Sequence, residues 1–238
     1  PVILIEKGYV VKTINFKKAQ YVGEPINIVR IFNDKQADEI VVYDIGSSKN
    51  NSEINFELVK KLSNETKMPF CYGGGIKSIQ DAYKIFSYGV EKISLNNLFF
   101  ENINKVKELV NIFGSQSIAV TFDVEKFSDQ YLIHNREDLE LYSLYRRLED
   151  IEVGEVIINC VHKDGTRSGF DTNILINALE TVNIPVTIVG GASSLEELEM
   201  LSNRFRAIGL GVGSLFIYKG KKNAVLINYP EKITKKDS

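Results

Sequence analysis

Met68-Pro69-Phe70-Cys71-Tyr72-Gly73-Gly74-Gly75 and, half a chain later, Ile184-Pro185-Val186-Thr187-Ile188-Val189-Gly190-Gly191 are two versions of one pattern. Each is an apolar run that follows a proline and ends in glycines. Each leads to a helix-start serine, Ser78 or Ser194, and then to a second apolar run, residues 92–97 or 207–214. A strand that ends in glycines and feeds a helix presents backbone N–H groups to an anion. The alternative is a tight turn with no ligand. Two clusters in matching positions, with Asn96 and Ser214 as nearby donors, predict a ligand carrying a phosphate or similar anion at each end.

Working outward, strand-length apolar runs recur at residues 2–5, 40–44, 69–72, 92–95, 117–123, 155–159, 185–189 and 207–211. They are rich in Val and Ile and lack polar alternation, as strands covered on both faces do. Segments of helical period separate them: 25–35, 53–66, 79–88, 103–113, 137–151, 173–182 and 195–202. Pro25 suits a first helical turn. Eight strands alternating with helices predict an α/β fold, a (β/α)8 TIM barrel with a twofold half-barrel repeat. A doubly wound open sheet is the rival. The barrel is expected to be one domain over residues 1–230, with a loose tail at 231–238. Residues 12–23 read as a flexible loop able to fold over a ligand.

In a barrel of this kind chemistry gathers at the strand C-termini. Asp123 ends the fifth apolar run, where a carboxylate can exchange a proton or merely cap a turn. Asp44 could orient a ligand or act catalytically, and Asp164 more naturally orients its loop. At the opposite mouth, Glu39, Lys92 and Glu155 each begin a strand. They form either a solvated salt-bridge ring or a gate across the axis.

The chain has 238 residues, 44% of them apolar, and a formal net charge of −2. That balance argues against a nucleic-acid or anionic-lipid surface. No apolar run is long enough to span a bilayer and no signal peptide is evident, so a cytoplasmic protein is expected. The start at Pro1 suggests that a few native residues are missing. Cys71 and Cys160 read as buried hydrophobes, and His134 and His162 are isolated, so no metal and no cofactor are expected.

These motifs together resemble the cyclase subunit of imidazole glycerol phosphate synthase, the HisF-like family, from about Gly8 to Ser214. The likeness rests on Val10-Val11-Lys12, Asp38-Glu39-Ile40 through Asp44-Ile45, Gly73-Gly74-Gly75-Ile76, Glu91-Lys92-Ile93-Ser94 with Asn96, Phe113-Gly114-Ser115-Gln116, Gly154-Glu155, Asp164-Gly165-Thr166 with Gly169 and Asp171, Gly190-Gly191-Ala192, and Gly213-Ser214. The family is a TIM barrel that receives ammonia along its axis from a glutaminase partner. The resemblance implies one phosphate site at Gly75, Asn96 and Asn97, and another at Asp164, Gly165, Gly191, Gly213 and Ser214. Lys12 matches the lysine of a substrate-closing loop, and Asp123 matches one of two catalytic aspartates. Glu39, Lys92 and Glu155 match three members of an ammonia gate; a fourth, an arginine, would precede Pro1.

There are departures. Leu4 stands where the other catalytic aspartate is expected. Asn97 replaces a threonine and Val189 a serine. Residues 127–145 are shorter than usual and lack a glycine-containing loop. Leu4 and the ending Gly220-Lys221-Lys222-Asn223-Ala224-Val225-Leu226-Ile227-Asn228-Tyr229-Pro230 resemble a paralogous branch tied to surface-polysaccharide or flagellin sugars. There the resemblance implies a HisH-like glutaminase, a separate sugar amidotransferase, and conversion of an acetamido to an acetamidino group. A phosphorylated small molecule or a sugar nucleotide would be the acceptor. The alternatives are a genuine histidine-pathway synthase, a non-catalytic barrel that docks and activates the glutaminase, and a sugar-phosphate isomerase. Leu4 counts against the last.

Overall fold

The computed structural model describes residues 1–50, 53–205, 207–220 and 223–230. The tail expected at 231–238 lies outside the described residues. Eight strands run parallel: β1 (Val2–Glu6), β2 (Ile40–Asp44), β3 (Phe70–Gly73), β4 (Lys92–Leu95), β5 (Ile118–Phe127), β6 (Glu155–Cys160), β7 (Val186–Val189) and β8 (Ile208–Gly211). Each pairs with the next in chain order. The Val2 N–H donates to Val212 O at 2.8 Å, which ties β1 to the end of β8. The fold is therefore a closed (β/α)8 TIM barrel, and the open sheet is excluded.

The outer layer is α1 (Pro25–Asp34), α2 (Phe56–Glu65), α3 (Ile79–Ser87), α4 (Ile103–Phe113), α5 (Tyr142–Asp150), α6 (Thr172–Thr181), α7 (Leu195–Arg204) and the short α8 (Ser214–Ile217). Ser78 and Ser194 are the N-caps of α3 and α7, accepting from the backbone N–H of Asp81 and Glu197. Capping satisfies donors that a helix start leaves without intrahelical partners. The half-chain repeat is also steric. A Cβ on Gly74 would collide with the carbonyl oxygen of Asp44, at the end of β2. A Cβ on Gly190 would lie 2.7 Å from the carbonyl oxygen of Cys160, at the end of β6. Both glycines have positive φ, +121° and +98°, which a side chain would strain.

Two expectations are overturned. Residues 12–23 are not a flexible loop. They belong to a β-hairpin, strands Tyr9–Ile14 and Lys17–Gly23, built against β1. Asn15 and Phe16 form its two-residue turn with φ of +49° and +59°, the backbone that matches the twist of paired strands. Residues 137–151 are not one helix either. Residues Arg136–Glu140 are a strand, and α5 starts only at Tyr142. The reason is the length of β5. Its last four residues pair with Gln130–Ile133, which pairs with Arg136–Glu140 in turn. An exposed edge offering N–H and C=O groups outweighs local helical period.

Inside the barrel the side chains form layers. An apolar belt of Val2, Val41, Ala119, Ile157 and Val189 fills the middle. Above it, the Tyr43 hydroxyl reaches from β2 to Thr121 Oγ1 on β5 at 2.9 Å. Thr121 Oγ1 also shares a 2.5 Å hydrogen bond with Ser94 Oγ. The Tyr43 ring passes over Gly73, where a Cβ would lie 2.7 Å from it. Tyr43 therefore crosses the bore, and a glycine on β3 makes the room.

Candidate active site

The candidate residues fall on the two rims. At the strand N-termini, Lys92 Nζ stands 3.0 Å from Glu39 Oε1 and 2.7 Å from Glu155 Oε2. Thr187 donates its hydroxyl to Glu155 Oε1 at 2.5 Å. Burial works against the Lys92 ammonium, but the two carboxylates prevail and hold its pKa above the ordinary lysine value. The three charges expected to form a ring do converge across the axis.

At the strand C-termini a cleft of about 790 Å³ contains Asp44, Gly75, Asn96, Asn97 and Asp123 in its walls. A smaller pocket of about 40 Å³ is lined by Lys12, Asp164, Gly165, Gly191, Gly213 and Ser214. Leu4, Phe16, Tyr43 and Asn159 border both. The two glycine-rich turns thus share one rim and one continuous concavity.

Asp123 is the acid at its centre. Asn96 Nδ2 donates to Asp123 Oδ2 and Asn159 Nδ2 donates to Asp123 Oδ1, both at 2.8 Å. Burial raises its pKa, against the amide of Asn159, the positive charge that His134 can carry and the amide of Asn96. Each carboxyl oxygen accepts one N–H, which fixes its plane across the cleft and leaves lone pairs for a proton. Asn96, expected at an anion site, gives one of its two amide N–H donors to Asp123. Asp44 accepts from Ser47 N at 3.0 Å and Ser47 Oγ at 2.8 Å, which makes it an organiser of the loop after β2.

In the smaller pocket Lys12 is buried, at 6% exposure, and its ammonium donates to Val2 O at 2.7 Å. Burial, opposed by Asp164, lowers its pKa to about 8. Gly213 gives the ammonium room there, since a Cβ would sit 2.5 Å from Lys12 Nζ. Asp164 accepts from the Thr13 hydroxyl at 2.7 Å and from Phe16 N at 3.3 Å, while Asn15 N donates to Asp164 O at 3.0 Å. Asp164 therefore clamps the hairpin over the pocket. A Cβ on Gly165 would strike Thr13 O, and one on Gly191 would strike Gly169 O.

Four residues of the concavity carry no sequence signal: Phe16, His134, Arg136 and Arg167. They arrive on the two hairpins and on a left-handed turn after β6, where Arg167 has φ +52°. Both hairpins follow from strand pairing rather than from composition. Among the described residues, no three His, Cys, Asp or Glu side chains converge on a metal position. No described helix is long and apolar enough to cross a membrane.

Comparison with known proteins agrees with this architecture. The histidine biosynthesis protein family matches residues 1–223. A Leptospira borgpetersenii protein provisionally named imidazole glycerol phosphate synthase subunit HisF is 42% identical over 237 residues, covering 97% of this chain and 93% of that protein. A Pseudomonas aeruginosa protein provisionally named as the subunit hisF2 is 39% identical over 241 residues, covering 97% and 94%. The imidazole glycerol phosphate synthase subunit HisF of Lactococcus lactis is 32% identical over 251 residues, covering 100% and 97%.

Proposed function

This chain belongs to the histidine biosynthesis protein family, in its HisF-like branch, and on that premise we propose that it is the ammonia-using synthase subunit of a glutamine amidotransferase. One observation supports this reading above the others. An ion-paired ring of Glu39, Lys92 and Glu155 stands at one end of the bore, and the Asp123 cleft with its two glycine-walled pockets opens at the other. A HisH-like glutaminase would dock at the ring. Ammonia would pass Lys92, cross the apolar belt and emerge beside Tyr43. The belt offers no polar partner, and a neutral molecule pays little to cross it compared with an ammonium ion.

At the cleft an acceptor with two anionic ends would lie between the Gly75 and Gly191 turns. Lys12, Gly213 and Ser214 would grip one end; Gly74, Gly75 and Asn97 would grip the other. Asp123 would handle the proton released when nitrogen adds to an electrophilic carbon. Leu4 borders both pockets, where the resemblance expects a second carboxylate. A cleft with one aspartate is poorly equipped for two-carboxylate cyclisation. The finer reading is therefore the paralogous branch: ammonia delivered for acetamido-to-acetamidino conversion on a sugar, with a separate amidotransferase. The names hisF2 and hisF3 among relatives of this chain fit additional copies of the subunit.

The test is a paired assay of the complex with its co-expressed glutaminase. Glutamine is supplied with either the histidine-pathway nucleotide intermediate or an acetamido sugar nucleotide plus its amidotransferase. Amidine formation on the sugar, with none on the nucleotide, is expected. Turnover of the nucleotide at about 1 s⁻¹ or faster would retire the sugar reading. Delivery unchanged in Asp123→Asn would favour a barrel that only docks and conducts.

A further inference from the structure

Beyond Asp123, the cleft holds a second proton-active group that the aligned motifs do not include. The antiparallel pairing of Val124 with Ile133 continues one step, so that His134 stands opposite Asp123, and the His134 N–H donates to Asp123 O at 2.8 Å. Residues directly opposite on paired strands project to the same face, with Cβ atoms about 5 Å apart. Glu125, two residues along β5, shares that face. His134 Nδ1 lies 2.7 Å from Glu125 Oε1. A carboxylate on one ring nitrogen fixes the tautomer and leaves Nε2 for chemistry. From the first hairpin, Phe16 packs edge-on against the imidazole, centroids 5.4 Å apart at 85°. Below it, Tyr131 donates its hydroxyl to Asp171, the N-cap of α6, which pins the strand leading to His134.

We propose that His134, oriented by Glu125, is a catalytic acid that works with Asp123, filling the role for which the first strand offers only Leu4. The inference rests on the amination reading and deepens it. As ammonia adds to a carbonyl-type carbon, the N–C bond forms and the C=O π bond breaks. Asp123 takes the proton that the nitrogen sheds, and the imidazolium gives its Nε2 proton to the oxygen. One proton leaves and one arrives, so this addition gives a neutral amino-alcohol adduct with no further reactant; the amidine requires that the adduct then lose its oxygen as water, a step left to the separate amidotransferase. Glu125 is a positioning residue in this scheme. The other charged groups lining the cleft are Asp44, Lys77, Glu101 and Arg136, and Asp164 lies within electrostatic reach of Asp123.

The test uses the intact chain with its glutaminase. The sequence has only two histidines, so ¹⁵N-histidine NMR with His134→Gln as reference assigns both imidazoles without altering the protein under study. Fructose 1,6-bisphosphate, a probe with two anionic ends, is expected to move the His134 signal and leave His162 in place. In the paired assay, His134→Gln is expected to lower kcat about 100-fold with KM changed less than about 3-fold. Glu125→Gln should lower kcat about 10-fold and disturb the Nδ1–H tautomer. Free imidazole should restore part of the rate to His134→Gly, which a purely structural role would not allow. A His134→Gln complex with the full rate, or a His134 signal indifferent to the bound probe, overturns the proposal and leaves the amination reading standing. An unaltered complex that aminates neither acceptor, with glutamine or with ammonium, overturns that reading and the acid role with it.

Discussion

The two rims of the barrel handle charge in opposite ways. At the N-terminal rim Lys92 has two carboxylate partners within 3.0 Å, and Thr187 completes the ring. At the C-terminal rim Asp123 has only amide donors at hydrogen-bond distance, and Lys12 donates to a neutral carbonyl. One rim holds its cation in two ion pairs within the fold. Among the described residues, the other rim gives its acid and its cation no opposite charge at hydrogen-bond distance. Ions in poor solvation that are not paired within the fold are well placed to answer to a ligand. The contrast separates the two rims by how they hold charge, although both are built from the same eight strands.

The strongest way to break that contrast is at Asp123. Asp123→Asn should lower the amination kcat about 1000-fold while circular dichroism stays unchanged; a full rate would empty the upper rim of its chemistry. Next come Gly74→Ala and Gly190→Ala, which test whether the two halves of the rim are built alike. Each forces a Cβ against a carbonyl oxygen at positive φ, so each should cost about 3 kcal/mol in denaturant unfolding. A large difference between them would show that the halves bear unequal strain.

Removing the cation of the lower rim should cost less. Lys92→Met leaves Glu39 and Glu155 facing one another and should destabilise the fold by about 2 kcal/mol, discounted for the partial exposure of Glu39. Under the proposed function it should slow glutamine-driven amination more than ammonium-driven amination. Equal slowing would separate the ring from ammonia entry. The smallest effect is at Lys12. Lys12→Met should weaken sulfate binding at the upper rim about 10-fold, the scale of one charge-assisted hydrogen bond. The pH dependence follows from a Lys12 pKa lowered to about 8. Sulfate affinity should fall as pH rises through 8, because the folded protein loses that charge. In the unfolded chain lysine keeps its proton to about 10.4. Between those values the unfolded state binds more protons, so the contribution of Lys12 makes stability rise with pH. Lys92, held the other way by Glu39 and Glu155, should show no such loss of charge there.

The eight barrel strands, the caps at Ser78 and Ser194, the two glycine turns and the Glu39–Lys92–Glu155 ring were all legible in the linear chain. Each is a local event: an apolar run, a serine before a helical period, a glycine where a side chain would meet a carbonyl, or a charge at the start of a buried strand. What the chain in line does not disclose is everything that depends on which edge finds a partner. The extension of β5 past the rim recruits two more strands and turns a segment of helical period into sheet. That pairing alone brings His134 and Arg136 into the cleft. The hairpin of Lys12 closes in the same way, against β1 and the carboxylate of Asp164. The assignment of Asn96 to Asp123, and the passage of Tyr43 across the bore, depend on strands far apart in sequence meeting around one axis. Hydrophobic period and backbone conformation act over a few residues and can be read from them. Hydrogen-bonding between edges and the convergence of side chains at a barrel mouth exist only once the cylinder closes.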